Sequence, residues 1–417
     1  MRPGKTHGSW RTLRAEYWRF FAAAFAFDLG TGLYLFLLSL YLITHGFNEQ
    51  EIGNFTAALT IGNLAGTLPA MMIARRKGLR WLLMVGFLCS PLAAAARIFV
   101  LQPWWQLALA FAQGTTLSAW PIGFAPTVAG LTNDENRSAG FSIVFATGIG
   151  MGTVAGLAGG WIPGALLARG LVHSGSAAMQ CVLLCACAIV LCGAWPVKQL
   201  ELNETLNTPA RRSRVLHPFL FRFLPPFLLW TAATASFPVF GAIWLHKSLG
   251  FGLGQVGTVY SASQLAQCAA VLAAPLLFRA AGLTRGVAAV QFGGALAAVC
   301  LALANGARAA VLFYLLYSAG QFMCGPGIYN LLMSRVPEAE RSTASAVQNA
   351  CGALCQAGSA SLTGFAIVHA GYNTVLAGNA CVALCAGLLF LALGSRTLSA
   401  GNSAEQSEIG EAREVQA

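Results

Sequence analysis

The chain has 417 residues, of which 57% are AVILMFWYC and only 9% are charged, with a mean hydropathy of +0.65. Soluble domains carry about 25% charged residues, so this composition excludes a water-soluble globular fold and makes lipid the solvent. The net charge of +11 is not a nucleic-acid signature, because the basic residues gather in alternate loops instead of one patch.

The first apolar run, Phe20 to Leu42, is long enough to cross a bilayer and carries one acid, Asp28. The other thirteen Asp and Glu residues fall in loops, helix ends or tails. An acid in a hydrocarbon span is costly and marks a functional site by default. After a basic tail, 1–16, spans follow at about 17–43, 51–73, 81–101, 104–130, 137–161 and 177–196. Asn48 with Glu51 reads as a variant capping box at the start of the second. The polar stretch 198–217 is the one long interruption and reads as a linker. Six more spans fill 218–400, and 401–417 reads as a disordered tail. The expected fold is therefore an all-α membrane protein of about twelve transmembrane helices in two six-helix halves, 17–197 and 218–400.

An internal repeat relates the halves. At a single offset of 204 residues, Gly46-Phe47 falls on Gly250-Phe251, Gly53 on Gly257 and Asn63 on Gln267. In the same register Arg75 falls on Arg279, Gly78-Leu79 on Gly282-Leu283, Arg137-Ser138 on Arg341-Ser342, Gly148 on Gly352 and Gly160 on Gly364. Ungapped agreement of loop glycines and arginines points to two structural copies, as in parallel-repeat transporters. With the N-terminus inside, the inner loops hold Arg75, Arg76, Lys77, Arg80, Arg137, Lys198, Arg211 and most other cations. Only Arg97, Arg169, Lys247 and Arg308 lie outside. The positive-inside rule then sets both termini in the cytoplasm.

At these features the chain resembles the major facilitator superfamily. The resemblance covers about 17–398 and rests on the spans, the repeat, the linker and the turn between the second and third spans. That family's turn reads Gly-x-x-x-Asp-Arg/Lys-x-Gly-x-Arg/Lys. Here Met71, Arg75, Arg76, Gly78 and Arg80 occupy those places, so the leading glycine and the acid are absent. The second copy keeps Arg279 and Gly282, with Arg285 one place late. The resemblance makes Arg75, Arg76, Gly78, Arg80, Arg279, Gly282 and Arg285 a cytoplasmic gate, with a lock built differently from the family's acid. Gly148, Gly152, Gly156 and Gly160 recur every fourth residue and mark a helix-packing face. The closing pair Gly159-Gly160 is similar to the family's antiporter motif without its proline, which favours export.

The polar residues inside the spans outline a substrate cavity: Thr31 and Leu35 on the face of Asp28, then Asn63, Gln113, Trp120, Gln264, Gln267, Tyr317, Gln321 and Gln348. Amides, hydroxyls and rings with one acid suit a polar or weakly cationic organic solute. The expected function is secondary active transport of such a solute by alternating access. Asp28 would either carry a proton across or pair with a cationic substrate. Lipid flipping and a transport-inactive sensor are the alternatives within the same fold. No nucleophile–base set appears in the spans, so an enzyme is not expected. The twelve cysteines show no Cys-x-x-Cys and read as packing residues, with no metal and no cofactor. The expected partners are a small-molecule substrate, protons and the lipid bilayer of a cell (inner) membrane, around a monomer.

Overall fold

A computed structural model describes residues 13–133, 136–202, 217–337 and 340–414, with backbone alone at 138, 342 and 394–414. Most of the tail 1–16, residues 203–216 of the linker, and the acids Asp134 and Glu135 lie outside the described residues. Among the described residues the chain forms helices and no strand. These are α1 (Ala15–Thr44), α2 (Glu49–Lys77), α3 (Leu79–Phe99), α4 (Pro103–Leu117), α5 (Ala119–Leu131), α6 (Arg137–Ala168), α7 (Gly175–Cys192) and α8 (Ala194–Lys198). Then come α9 (Pro218–Ser236), α10 (Pro238–Leu249), α11 (Leu253–Ala281), α12 (Leu283–Ala302), α13 (Ala307–Met323), α14 (Gly325–Arg335) and α15 (Arg341–Glu414).

Ten helical stretches of the described residues are long and apolar enough to cross a membrane. Two local breaks account for the difference from the expected twelve. The stretch 103–131 is interrupted at Ser118, because Pro121 cannot donate to the carbonyl of Leu117. Conversely, Thr343–Leu393 runs as one stretch of 51 residues, bent at Gly371 (φ 80°). Beyond it, helical backbone continues to Glu414, into the tail expected to be disordered; the run Ala404-Glu405-Gln406 and Glu411-Ala412-Arg413-Glu414 is rich in helix formers. Residues 415–417 lie outside the described residues.

The chain divides into two compact units. Unit one comprises Met1–Ala210, Ser236–Leu265 and Gln356–Tyr372; unit two comprises Arg211–Ala235, Ala266–Cys355 and Asn373–Ala417. This differs from the two sequence halves, because residues 236–265 and 356–372 pack tightly on α1, α2 and α6.

In unit one, α1 buries Tyr17, Phe20, Ala24 and Phe27 against Phe87, Val128, Val144 and Val190. Trp120 stacks on Phe27, with centroids 4.4 Å apart, and on Phe20 at 5.9 Å. Buried tyrosine hydroxyls find backbone acceptors: Tyr17 donates to Gly140 O (2.6 Å), Tyr34 to Ala94 O (2.9 Å) and Tyr41 to Ile98 O (3.0 Å). The last of these satisfies a carbonyl that the end of α3 leaves unpaired. The capping box read from Asn48 and Glu51 is present, each backbone N–H donating to the other's side chain at 2.9 Å. Helices α2 and α4 cross at backbone contact, where a Cβ at Gly62 would meet the carbonyl of Phe111 and one at Gly114 that of Leu59.

In unit two, Trp230 lies against Gly294 and the ring of Phe292 covers Gly387. Phe223 stacks on Phe227 (5.6 Å) and meets Phe390 edge-on. Outward faces are apolar: Leu272 is 74% exposed and Trp104 82%, as lipid contact requires. The turns after α2 and α11 share one conformation, with Gly78 at φ 89° and Gly282 at φ 80°, a region costly for any residue with a side chain.

Replacing Gly62 by Leu forces α2 away from α4. The expected outcome is loss of the monodisperse peak in detergent size exclusion. Gly164→Leu, at a position with nothing within 4 Å of a new Cβ, keeps that peak.

Candidate transport site and gate

Asp28 lies on the face of α1 turned to α6. Its Oδ2 is 3.3 Å from where a Cβ on Gly148 would stand, so the glycine makes room for the carboxylate. Asp28 is half-buried, and among the described residues it has no hydrogen-bond or ion-pair partner. One turn along α6, Gly152 accommodates the Gln264 amide, whose Nε2 is 2.7 Å from the ideal Cβ position. Gly32 of α1 faces Gly152 and Ala155 at the same level. Above this pair, the rings of Phe36 and Tyr260 meet at 4.8 Å. A carboxylate, an amide and two aromatic rings are thus gathered on a shelf of glycine.

From Gly152 towards the end of the unit that carries Gly46, α6 and α11 close on each other. A Cβ at Gly156 would lie 2.5 Å from Ser261 Oγ and 2.7 Å from Tyr260 Cδ1. One at Gly160 would lie 2.7 Å from Leu253 O and 2.9 Å from Gly257 Cα. Ser261 Oγ donates to Thr153 O (2.7 Å), and Trp161 Nε1 to Thr258 Oγ1 (3.2 Å). A second crossing sets Gly53 of α2 against Ala360 and Gly364 of α15. There Ser361 Oγ donates to Asn54 Oδ1. At the rim, Glu49 Oε1 accepts from both Lys247 Nζ (2.7 Å) and Tyr372 Oη (2.8 Å). Glu49 is only 6% exposed, while Lys247 reaches it from the exposed rim.

Several residues expected in one cavity are placed elsewhere. Gln113 is 2% exposed inside unit one, where its Oε1 accepts from Arg97 Nη1 (2.9 Å). Arg97, expected near the outer end of its span, is itself buried; its Nε donates to Gln106 Oε1 (3.0 Å). Trp120 belongs to the aromatic core around Phe27 and Phe87. Tyr317 is 5% exposed and donates to Ala233 O (3.3 Å), and Gln348 is 1% exposed with both amide atoms unpaired. Thr31, Asn63, Gln267 and Gln321 are half-buried, and Leu35 is 46% exposed. Of the expected set, the structure brings Gln264 to the same glycine face as Asp28. The sequence reading missed Glu49, Lys247 and Tyr372. The signal available was a buried first-turn acid in α2 beside a cation at the end of α10.

The sequence pattern of the Major Facilitator Superfamily matches residues 20–360. The chain belongs to this superfamily. Among solved structures it is similar to the nucleoside transporter NupG, with a TM-score of 0.73 and 14% identity over 91% of this chain and 99% of that one. It is also similar to a bacterial homolog of the human lysosomal transporter Spinster in an inward-facing, occupied conformation, with a TM-score of 0.74 and 9% identity over 91% and 96%. A D-xylose-proton symporter gives a TM-score of 0.69 at 15% identity over 90% and 96%. No curated protein matches the sequence significantly. Identities this low show a common fold and nothing about cargo.

The superfamily's turn motif falls between α2 and α3, and its second copy between α11 and α12. Arg75, Arg76, Arg80, Arg279 and Arg285 are exposed there. Among the described residues none of the five has an ion-pair partner. The described ion pair lies instead at the opposite end of α2, on Glu49.

Arg97→Met strips the donors from Gln106 and Gln113 in a buried site. A loss of about 1.5–3 kcal/mol is expected for hydrogen bonds to a charged group. It should be read as a lower detergent melting temperature.

Proposed function

We propose that the chain is a twelve-span transporter that moves a polar or weakly cationic organic solute by alternating access. Counting α4 and α5 as one broken span, and α15 as two spans hinged at Gly371, gives twelve. The halves 17–197 and 218–400 are then structural copies. Support comes from repeat-mate glycines: Gly46 (φ 87°) and Gly250 (φ 67°) both have positive φ, and Gly78 and Gly282 share one conformation. Breaks at Ser118 and Cys324, in corresponding helices, agree with this. The positive-inside pattern places both termini in the cytoplasm, and with them the Gly46 end on the outer side.

The observation that carries the transport reading is the unpartnered Asp28 carboxylate beneath the glycine closure of α6 on α11. A carboxylate with no cation of its own can take a proton or a cationic group of the solute. The closure above it and the Glu49–Lys247–Tyr372 cluster form the outer gate, here shut. Opening requires α6 and α11 to part and that ion pair to break, which fits rocking of one repeat against the other. The cargoes named for similar folds range from nucleosides to D-xylose, so the site chemistry and not the fold argues for the solute class. The glycine run, which in sequence favours export, serves here to shut the outer side, a step import and export both need.

Asp28→Asn in proteoliposomes tests the site. Loss of pH-gradient-driven flux with intact solute counterflow supports proton coupling. Loss of both supports direct pairing with the solute. Unchanged flux and counterflow would falsify the role of Asp28. For the gate, Glu49→Gln is expected to raise maleimide labelling of a cysteine placed at Ser361 from the outer side severalfold, in a background lacking other reactive cysteines. Labelling equal to that of the parent overturns the gate.

A further inference from the structure

Unit two contains a small cavity lined by Trp230, Thr234, Gly294, Tyr317, Gln321 and Asn379. It leaves about 10 Å³ for the centre of a water molecule, which is room for one. Of the residues lining it, Gln321 and Asn379 each bury an amide nitrogen, Nε2 and Nδ2, that has no hydrogen-bond partner in the protein. Asn379 is 9% exposed. Burying an amide donor unpaired costs about 1–3 kcal/mol. Two such groups sharing one cavity are costly unless something accepts from both.

We propose that this cavity is a binding site for a single water molecule that bridges Gln321 of α13 to Asn379 of α15. The water accepts from the two amide nitrogens. It donates to Thr234 Oγ1, whose own hydrogen is committed to Trp230 O (3.0 Å). That set supplies three partners, within the two to four a buried water takes. No cation lines the cavity, so an anion would sit there uncompensated in a low-dielectric interior. Water also tolerates either orientation of each amide, because it both donates and accepts.

The internal repeat sharpens the assignment. A matching cavity exists in unit one, lined among others by Gly30, Ser90, Ala94, Gln113 and Leu117. At the repeat offset these are the mates of Thr234, Gly294, Ala298, Tyr317 and Gln321. Ala186 and Val190, four apart, line it as Asn379 and Ala383 do in unit two. There the counterpart of Gln321 is an apolar leucine, and the one amide, Gln113, is held by Arg97. One copy thus satisfies its interior amide with a guanidinium. The other has a leucine, Leu301, at the place of that arginine and uses water. The site lies one turn before the break at Cys324, so the bridge braces α13 where its helix is interrupted.

The test is thermal unfolding of the full-length protein in detergent. Asn379→Leu and Gln321→Leu are measured singly and together. With a bridging water, each single change strands the remaining amide and lowers the melting temperature by a few degrees. The double change, which expels the water and removes both amides, recovers most of that loss. If the cavity is dry, each single change removes an unpaired polar group and raises the melting temperature, and the proposal is overturned. A second readout uses only the unaltered protein: X-ray hydroxyl-radical labelling. A resident water is expected to label Tyr317 and Trp230 severalfold above Tyr314 and Trp244, all four being 4–6% exposed. Equal labelling of the pairs overturns the site.

Discussion

Hydrocarbon supplies no hydrogen bonds, so each polar group within the spans must be matched by another part of the chain. Most of this structure follows that constraint. The tyrosines of α1 reach backbone carbonyls, among them one at the end of α3, and Arg97 draws Gln106 and Gln113 around itself. Against this background the unmatched groups stand out. Asp28 has no partner beneath the closure of α6 on α11, Gln291 and Gln348 are buried unpaired, and Gln321 and Asn379, each with an unpaired amide nitrogen, line a cavity of water size. Cost without internal compensation points to something brought from outside: a proton or solute at Asp28, water at Gln321 and Asn379.

Glycine is the second organising element. In α6 it shapes two different surfaces along one line. Gly148 and Gly152 receive the side chains of Asp28 and Gln264, Gly156 receives Ser261 and Tyr260 of α11, and Gly160 receives the backbone of α11. A single four-residue period therefore yields a face that receives side chains and a close helix crossing in immediate succession. Any shift of the crossing would carry the Asp28 face with it, since both belong to one continuous helix.

How much of this was legible in the sequence depends on the range of the interaction. Local signals read directly: the Asn48–Glu51 box and the glycine period of α6 are encoded within a few residues. Composition and loop charge gave the membrane class. Assignments that rest on which face of a helix meets which neighbour were not legible. Gln113 and Trp120 share a face with period-3.6 spacing, yet that face turns to the interior of unit one and not to a pathway. Glu49 resembled an ordinary first-turn acid, because its partners Lys247 and Tyr372 lie 198 and 323 residues away. Residues 236–265 and 356–372 also join unit one through glycine-to-backbone crossings that no single segment announces.

A helix face made of glycine exposes peptide groups in place of side chains. While α6 and α11 are together, those groups are covered by the partner helix. Once apart, the same surfaces would present backbone carbonyl oxygens, each with a second lone pair that can accept from water, beside the hydroxyls of Ser261 and Thr258. A parted glycine face would thus be wettable with few polar side chains. In a chain with 46 glycines and 9% charged residues, main-chain carbonyls can supply polarity that the side chains do not.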